Sequence, residues 1–350
     1  MESKSLNILA WQKFKKDKLS FLALCYILLL FLLGLFASII SPDNSTNANE
    51  MHIDLATKKP FKKVLFLEIL NEKNISSPSV KSVLFGSPSS VKRIPIESFI
   101  LLKNGVRYLT YNSDIEQLFI GEFNISEQTF WFGTDKYGRD LLSRMLYGIR
   151  ISLSVGFIAV FISLIIGISL GLIAGYFRGF IDKVIMWFVN IVWSIPTLLV
   201  VIAITLSLGK GFWQVFLAVG LTMWVEVARI VRGQVLAIRE LEYVEAGKVL
   251  AYKPFRIIFN HVLPNIIGPV IVISAANFAA AILIEAGLSF LGIGVQPPMP
   301  SWGGMVKDHY AFIVMDKAYL AFIPGFAIMS LVLAFMLLGN GLRDAFDVKN

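Results

Sequence analysis

The chain has 350 residues, of which 56% are hydrophobic and 16% are charged, and its mean hydropathy is +0.70. Soluble domains usually carry roughly 25% charged residues, so much of this chain must be solvated by lipid. The formal charge of +8 does not indicate nucleic acid, because the excess of lysine and arginine lies in short segments beside apolar runs. The single cysteine, Cys25, excludes an internal disulfide and a multi-cysteine metal site.

Six apolar runs are long enough to span a bilayer as helices, which satisfy their own backbone polar groups. They cover residues 19–40, 151–175, 184–208, 212–228, 266–291 and 319–338. The first run is long for a signal peptide and no small-x-small cleavage site follows it, so we interpret it as an uncleaved anchor. Three runs contain a proline, which bundled membrane helices tolerate: Pro196, Pro269 and Pro324.

Lysine and arginine in the short connections predict the orientation of the spans. Counted without the long segment 41–149, 15 of them fall on the side of the N terminus and three on the other side. Short cytoplasmic connections are enriched in these residues. The N-terminal segment 1–18 and the tail 341–350 are therefore both predicted to be cytoplasmic.

The segment 41–149 is predicted to lie outside the membrane on the far side. It is long enough to fold as a small domain between the first two spans. Within it, Asn104-Gly105 separates two β-prone runs, which predicts a β-hairpin.

The connection between the fourth and fifth spans, residues 229–264, carries the most informative pattern. Pro254 disfavours helix at Lys253, so we expect two short helices with a bend at 252–254. Such a helical protrusion at the cytoplasmic face either rests on lipid headgroups or docks onto a partner. The pattern by itself leaves both alternatives open.

This loop resembles the EAA signature of ABC importer permeases, which runs from Glu-Ala-Ala through a glycine to a closing Leu-Pro pair. The positions that match are Glu245, Ala246, Leu263 and Pro264. Three positions depart from it: Gly247 stands for the second alanine, Ala251 for the glycine and His261 for an apolar residue. The glycine marks a tight turn, which alanine makes less readily. His-x-Leu-Pro-Asn at 261–265 is similar to the peptide and nickel branch of the family.

Other stretches resemble the same branch and occur in the expected order. They are Gly-Thr-Asp-Lys-Tyr-Gly-Arg-Asp at 133–140, the stretches 285–292 and 296–303 at the exit of the fifth span, and the tail 341–347. The resemblance covers the chain except roughly residues 41–128. Several ordered motifs at matching topological positions make it specific.

The resemblance implies an all-α integral membrane protein with six transmembrane helices of the type I ABC importer permease fold. Helix 1 would cover 19–40, the extracytoplasmic insert 41–149, and a five-helix core 150–340 with its coupling loop at 229–264. The chain would be a permease subunit for peptides in the inner membrane of a bacterium. A permease for nickel or another small solute is the alternative within the family.

The resemblance also implies partners: a second permease subunit in a heterodimer, two ATPase subunits, and a substrate-binding protein outside. The resemblance assigns no role to the insert, most of which it does not cover; contact with the binding protein or with the second permease is an open alternative. No Gly-x4-Gly-Lys-Ser/Thr phosphate loop occurs in the chain, so we expect ATP hydrolysis by another chain and no cofactor here. The signature residues at 245–264 would couple to the ATPase. Glu245 would pair with a basic residue of the partner or, alternatively, contact Lys248 in its own helix.

Ionisable and polar groups inside spans are costly and by default functional. Glu285 and Asn277 share a broad face of the fifth span, so they are candidates for the translocation pathway, a gate or a permease–permease contact. The alternative is that Glu285 reaches water at the outer interface. Glu226 and Arg229, three residues apart, are predicted to form a structural ion pair.

A membrane enzyme is the rival from another class. Gly167-Ile-Ser-Leu-Gly171 matches the Gly-x-Ser-x-Gly nucleophile pattern, but it lies within an apolar span. The three histidines, His52, His261 and His309, lie in connections, where none can serve as its base. Small residues here favour close helix packing instead. No metal-ligand motif occurs, and a stand-alone channel would not explain the loop signature.

Overall fold

The structure is a computed structural model that describes residues 6–70, 86, 91–111, 113, 115–209 and 211–346. The chain divides into two compact units. The helical unit comprises Met1–Leu29, Ser152–Val295 and Ile328–Asn350, and the sheet unit comprises Leu30–Ile151 and Gln296–Ala327.

Helices dominate the described part of the chain. In order they are α1 Leu6–Lys16, α2 Lys18–Leu35, α3 Ala37–Ile40, α4 Leu141–Phe177, α5 Gly179–Ser194, α6 Thr197–Leu208, α7 Phe212–Ile238, α8 Glu242–Val249, α9 Pro254–Ile257, α10 Leu263–Phe290, α11 Trp302–His309 and α12 Tyr319–Phe346. A π-turn, Ile258–Val262, joins α9 to α10. Within the described residues, five helices are long and apolar enough to cross a membrane, and there are six spans if the bent pair α5 and α6 counts as one.

The third predicted span, 184–208, is not one continuous helix. Helices α5 and α6 meet at 90°. The break lies at Ile195, which is extended with φ −94° and ψ 132°, directly before Pro196. Proline clashes with a helical residue before it and donates no backbone hydrogen bond, so the prediction that residues 184–208 span as one helix is wrong. Pro269 and Pro324, by contrast, lie inside α10 and α12.

The sheet unit contains a five-stranded antiparallel sheet in the order β4-β3-β2-β1-β5. Its strands are β1 Lys62–Leu70, β2 Val91–Leu102, β3 Gly105–Thr110, β4 Gln117–Ile120 and β5 Phe123–Phe130. The all-α prediction is therefore wrong for the insert, most of which the resemblance did not cover. The predicted hairpin is confirmed as β2–β3, but Leu102 pairs with Gly105, so Lys103 and Asn104 form the turn.

Both faces of the sheet bury apolar side chains, because residues alternate between faces along each strand. On one face, Val64, Phe66 and Phe130 pack with Leu55. On the other face, a second cluster contains Leu67, Ile96, Val106 and Tyr108. The sheet thus has a core of its own, independent of any lipid.

The motif at 133–140 forms a tightly bonded turn before α4. The buried Asp135 carboxylate accepts hydrogen bonds from the backbone N–H of Tyr137 at 2.8 Å and of Arg139 at 3.0 Å, and from the Arg139 guanidinium at 2.6 Å. Asp140 is the N-cap of α4: its carboxylate accepts a hydrogen bond from the backbone N–H of Ser143 at 2.8 Å. The motif therefore fixes where α4 begins.

The Asp140 carboxyl carries an electrostatic cost in the folded chain. Burial raises the pKa of Asp140 to about 6, and the nearby Asp43 and Asp135 act in the same direction, although hydrogen bonds from Ser143 oppose them. Because the pKa is higher than in the unfolded chain, the folded state binds the proton more readily between about pH 4 and 6. Stability from this group is therefore gained as pH falls through that window.

Three glycines of α4 allow it to approach α7 closely in the helical unit. A Cβ atom at Gly171 would lie 2.7 Å from both the Ala228 carbonyl oxygen and the Val231 Cβ. Gly167 and Gly175 face Val227 and Val235 in the same way. The prediction that the small residues of the Gly-x-Ser-x-Gly stretch serve helix packing is confirmed.

We expect Gly171→Ala to destabilise the helical unit by about 1–3 kcal/mol, because the added methyl group meets backbone atoms that cannot move aside. Thermal unfolding in detergent measures the effect. Gly233→Ala in α7 is the matched control, since a Cβ there meets nothing within 4 Å. Equal melting temperatures for the two variants would contradict the close contact.

We expect Asp140→Asn to stabilise the sheet unit at pH 7.5 by up to about 3 kcal/mol, because it removes a buried charge and keeps the helix-start acceptor. The advantage should vanish near pH 4, where Asp140 itself is neutral. Limited proteolysis across this pH range in denaturant measures it. Asp316→Asn, at an exposed carboxylate, is the control and should show no such pH-dependent gain in stability. If Asp140→Asn is less stable than the wild type at pH 7.5, the raised pKa of Asp140 is refuted.

Candidate functional site

The loop that carries the signature folds as two short helices, as predicted. Helix α7 runs past Ala228 to Ile238, so the turns begin at Arg239. Helix α8 follows, and Lys253 is extended with φ −61° and ψ 143° directly before Pro254, which is the first residue of α9. Helix α9 then continues through the π-turn into α10 without a loop, so the second half of the signature is rigidly joined to a span.

The bend between the two helices is a Schellman motif with an alanine at its left-handed position. The Tyr252 N–H donates to the Gly247 carbonyl at 3.0 Å and the Ala251 N–H donates to the Lys248 carbonyl at 2.9 Å. Ala251 has φ +55°, a conformation that glycine adopts most easily. The tight turn is thus formed in spite of the alanine, at a cost in strain.

One face of the loop is buried against the spans. Val244 of α8 and Ile257 of α9 are 0% and 1% exposed. They belong to one apolar cluster with Val231 of α7 and Leu172 of α4. This packing positions α8 and α9 against two long helices, so the loop and the spans form one body.

Other positions of the loop expose large apolar side chains. The exposed fractions are 86% for Val249, 72% for Phe255, 64% for Leu250 and 55% for Phe259. The Phe255 and Phe259 rings stack with centroids 6.5 Å apart. We name these four residues the apolar loop face. Large exposed apolar side chains mark contact surfaces. Their signal, apolar residues in a basic loop, is present in the sequence, but these four residues were not among the predicted site residues.

The signature residues lie on both faces of the loop. Glu245, Ala246, Ala251 and Pro264 are exposed, Gly247 is buried, and His261 and Leu263 are half-buried. His261 lies beside two tyrosine rings, 6.4 Å from Tyr243 and 6.4 Å from Tyr252. Within the described part of the chain, the Glu245 carboxylate forms no ion pair with Lys248, so the intrahelical alternative has no support here.

Asn277 and Glu285 in α10 are each 1% exposed, so the chain itself encloses both side chains. Glu285 accepts a hydrogen bond from the Ser289 hydroxyl at 2.6 Å. The Asn277 amide nitrogen has no acceptor among the described residues. The alternative in which Glu285 reaches water at the outer interface is therefore wrong.

The predicted ion pair between Glu226 and Arg229 is wrong. The Arg229 guanidinium instead donates to the Asn190 side-chain oxygen at 2.6 Å and stacks over the Trp193 ring at 3.9 Å, both in α5. Helix packing decides this, because α5 offers Arg229 an amide and an aromatic face. Glu226 lines a cavity of about 140 Å³, together with Thr222 and Ala280.

The chain is similar to transport permeases along most of its length. Residues 167–349 match the family described as binding-protein-dependent transport system inner membrane component, and residues 5–60 match the N-terminal TM domain of oligopeptide transport permease C. The dipeptide transport system permease protein DppC of Alkalihalophilus pseudofirmus is 42% identical over 73% of this chain and 84% of its own length. DppC of Bacillus subtilis is 45% identical over 63% of this chain and 68% of its own length. The glutathione transport system permease protein GsiD of Pectobacterium atrosepticum is 40% identical over 63% of this chain and 72% of its own length.

The chain is a multi-pass membrane permease and is not itself an enzyme. Its apolar spans and the loop packed onto them agree with these matches. The chain belongs to the family of binding-protein-dependent transport system inner membrane components. The resemblance to the oligopeptide and dipeptide branch of ABC importer permeases is confirmed.

We expect Ala251→Gly to stabilise the loop by about 1 kcal/mol, because glycine adopts the positive φ without strain. Hydrogen exchange of the amides of Ala251 and Tyr252, which donate in the Schellman motif, measures the change. Ala246→Gly, at an exposed position inside α8, is the matched control and should destabilise the helix by about 1 kcal/mol. If both variants lose protection of these amides from hydrogen exchange, the conclusion that Ala251 strains the turn is contradicted.

Proposed function

We propose that this chain is a permease subunit of an ATP-driven bacterial importer of peptides, and that an ATPase docks on its loop 229–264. The proposal that an ATPase docks here rests on the exposure of the apolar loop face. The proposal for peptides rests on the relatives, which are named for dipeptide and glutathione transport. Nickel or another small solute is the alternative cargo, since the residues of the loop carry no information about cargo.

Docking follows from the two faces of the loop. The apolar loop face is available to a partner, while the buried face holds α8 and α9 on α7 and α4. A displacement of the loop by a moving ATPase therefore moves the spans with it, which is the mechanical requirement for switching between inward- and outward-open states. The exposed Glu245 would pair with a basic residue of the ATPase.

The assembly we propose has a second permease subunit in a heterodimer, two ATPase subunits, and a binding protein outside. The family description, binding-protein-dependent transport, supports the last of these. In this arrangement both termini are cytoplasmic, the segment 41–149 is extracytoplasmic, and α5 with α6 counts as one of six spans of a type I permease fold. The distribution of lysine and arginine supports this orientation.

We place the translocation pathway next to α10. Ala280 of α10 and Glu226 of α7 line the cavity between the helices, and Asn277 lies one turn from Ala280. Because Asn277 and Glu285 are enclosed, they would act as gate residues that become accessible when the helices move apart, rather than as a permanent lining. Burying an ionisable and an amide side chain within a membrane-spanning helix is costly, and such residues are by default functional.

We expect Phe255→Asp to abolish both ATPase binding and uptake, because it replaces an exposed aromatic ring of the apolar loop face with a charge. The tagged chain is purified in mild detergent from cells that express the complete importer. ATPase recovery should fall at least tenfold while the second permease is retained. In the same cells, uptake of a labelled dipeptide should fall to background.

Ile120→Asp is the matched control, since Ile120 is 70% exposed on the sheet. It should keep both ATPase recovery and uptake. Full ATPase recovery with Phe255→Asp would refute the docking site. Wild-type uptake of nickel but not of the dipeptide would refute peptide as the cargo and leave the docking site intact.

A further inference from the structure

A basic and aromatic surface lies on the sheet unit and has no role in the proposed transport cycle. The segment 57–63 reads Thr-Lys-Lys-Pro-Phe-Lys-Lys, with four lysines and no acidic residue. Phe61 is 69% exposed and Trp131 is 51% exposed, and their rings meet edge-on with centroids 6.0 Å apart. We name Lys59, Phe61, Lys62 and Trp131 the lysine–aromatic patch.

The patch is tied to the first residues of a membrane span. The Tyr319 hydroxyl donates to the Lys58 carbonyl at 2.7 Å, and the Lys317 ammonium donates to the Thr57 hydroxyl at 2.5 Å. Tyr319 is the first residue of α12, which is one of the helices apolar enough to cross a membrane. If α12 enters the bilayer at Tyr319, the patch beside these two bonds lies where the bilayer meets water, which is the depth that tryptophan and tyrosine side chains prefer.

The backbone holds Phe61 with its ring exposed. Phe61 has φ +62°, a left-handed conformation that is rare for a bulky residue, and its N–H donates to the Phe130 carbonyl at 2.8 Å. The apolar cluster around Val64 and Phe66 begins a few residues further along β1, yet Phe61 does not join it. A bulky residue in this conformation is strained, and strained residues cluster at functional sites.

Two lysines of the patch are available to an anion. Lys63 pairs with Glu127 at 2.9 Å, and the Lys58 ammonium lies 5.1 Å from the Tyr111 ring centre. Lys59 and Lys62 are exposed, and neither forms an ion pair with any residue that the structure describes. Lysines beside a membrane surface attract anionic headgroups over about a Debye length.

We propose that the lysine–aromatic patch binds anionic phospholipid headgroups. Lys59 and Lys62 contact the phosphate groups, while Phe61 and Trp131 enter the interfacial layer beside them. This contact holds the sheet at the membrane surface next to α12. The combination of free cations with exposed aromatic rings at the end of a span favours lipid over a protein partner. The inference requires neither the ATPase nor the cargo.

The position of the patch is tested with a nitroxide at residue 61. Cys25→Ser removes the single cysteine, so Phe61→Cys in that background carries one label. The full chain is placed in nanodiscs of phosphatidylcholine with 30% phosphatidylglycerol, a composition chosen for the assay. The label should be reached by oxygen more readily than by a water-soluble nickel chelate. Ile120→Cys, 70% exposed on the sheet, is the control and should show the reverse preference.

The charge preference is tested with Lys59→Gln plus Lys62→Gln, compared with Lys92→Gln plus Lys103→Gln at two exposed lysines elsewhere on the sheet. Native mass spectrometry measures the ratio of phosphatidylglycerol to phosphatidylcholine retained by the purified chain. The ratio should fall at least threefold for the first pair only. An unchanged ratio would overturn the headgroup assignment. A label at residue 61 that the nickel chelate reaches freely would overturn lipid as the partner. So would a label that becomes protected only after a binding protein is added.

Discussion

The close contact between α4 and α7 is the interaction on which the position of the loop depends. Gly171 allows the two backbones to approach until Val231 occupies the space where a side chain of α4 would lie. Val231 and its neighbours on α7 then form the surface on which Val244 and Ile257 of the loop are buried. In lipid, where apolar burial gives helices little reason to associate, such close packing provides the cohesion. A loop seated on this contact moves only if the helices move.

The two units obey different physical rules. The helical unit exposes many large apolar side chains because lipid is its solvent, and the Arg229 guanidinium has a specific partner in Asn190. The sheet unit buries its own apolar clusters on both faces of a sheet, as a water-soluble domain does. Its charged motif around Asp135 lies between β5 and the start of α4, and hydrogen bonds from Arg139 to Asp135 hold its turn.

Local patterns predicted those features that depend on neighbours in sequence. The β2–β3 hairpin and the bend before Pro254 were both predicted, because turn residues and proline act on adjacent backbone. The 90° break at Pro196 was not predicted. A proline inside an apolar run is compatible with a straight span or a sharp bend, and neighbouring helices select between them. The pattern of the run was the same for Pro269, which α10 accommodates.

The sequence by itself determined that the chain is a membrane protein with several apolar spans and that its loop resembles that of a transport permease, because apolar run length and a spaced signature are properties of the chain alone. Only the tertiary structure decided which side chains are enclosed and which are exposed. Glu285 is enclosed, Arg229 turns away from Glu226, and Phe255 is exposed. These outcomes depend on which helices meet and at what angle. Contacts between residues far apart in the chain set that angle, and no local pattern records it.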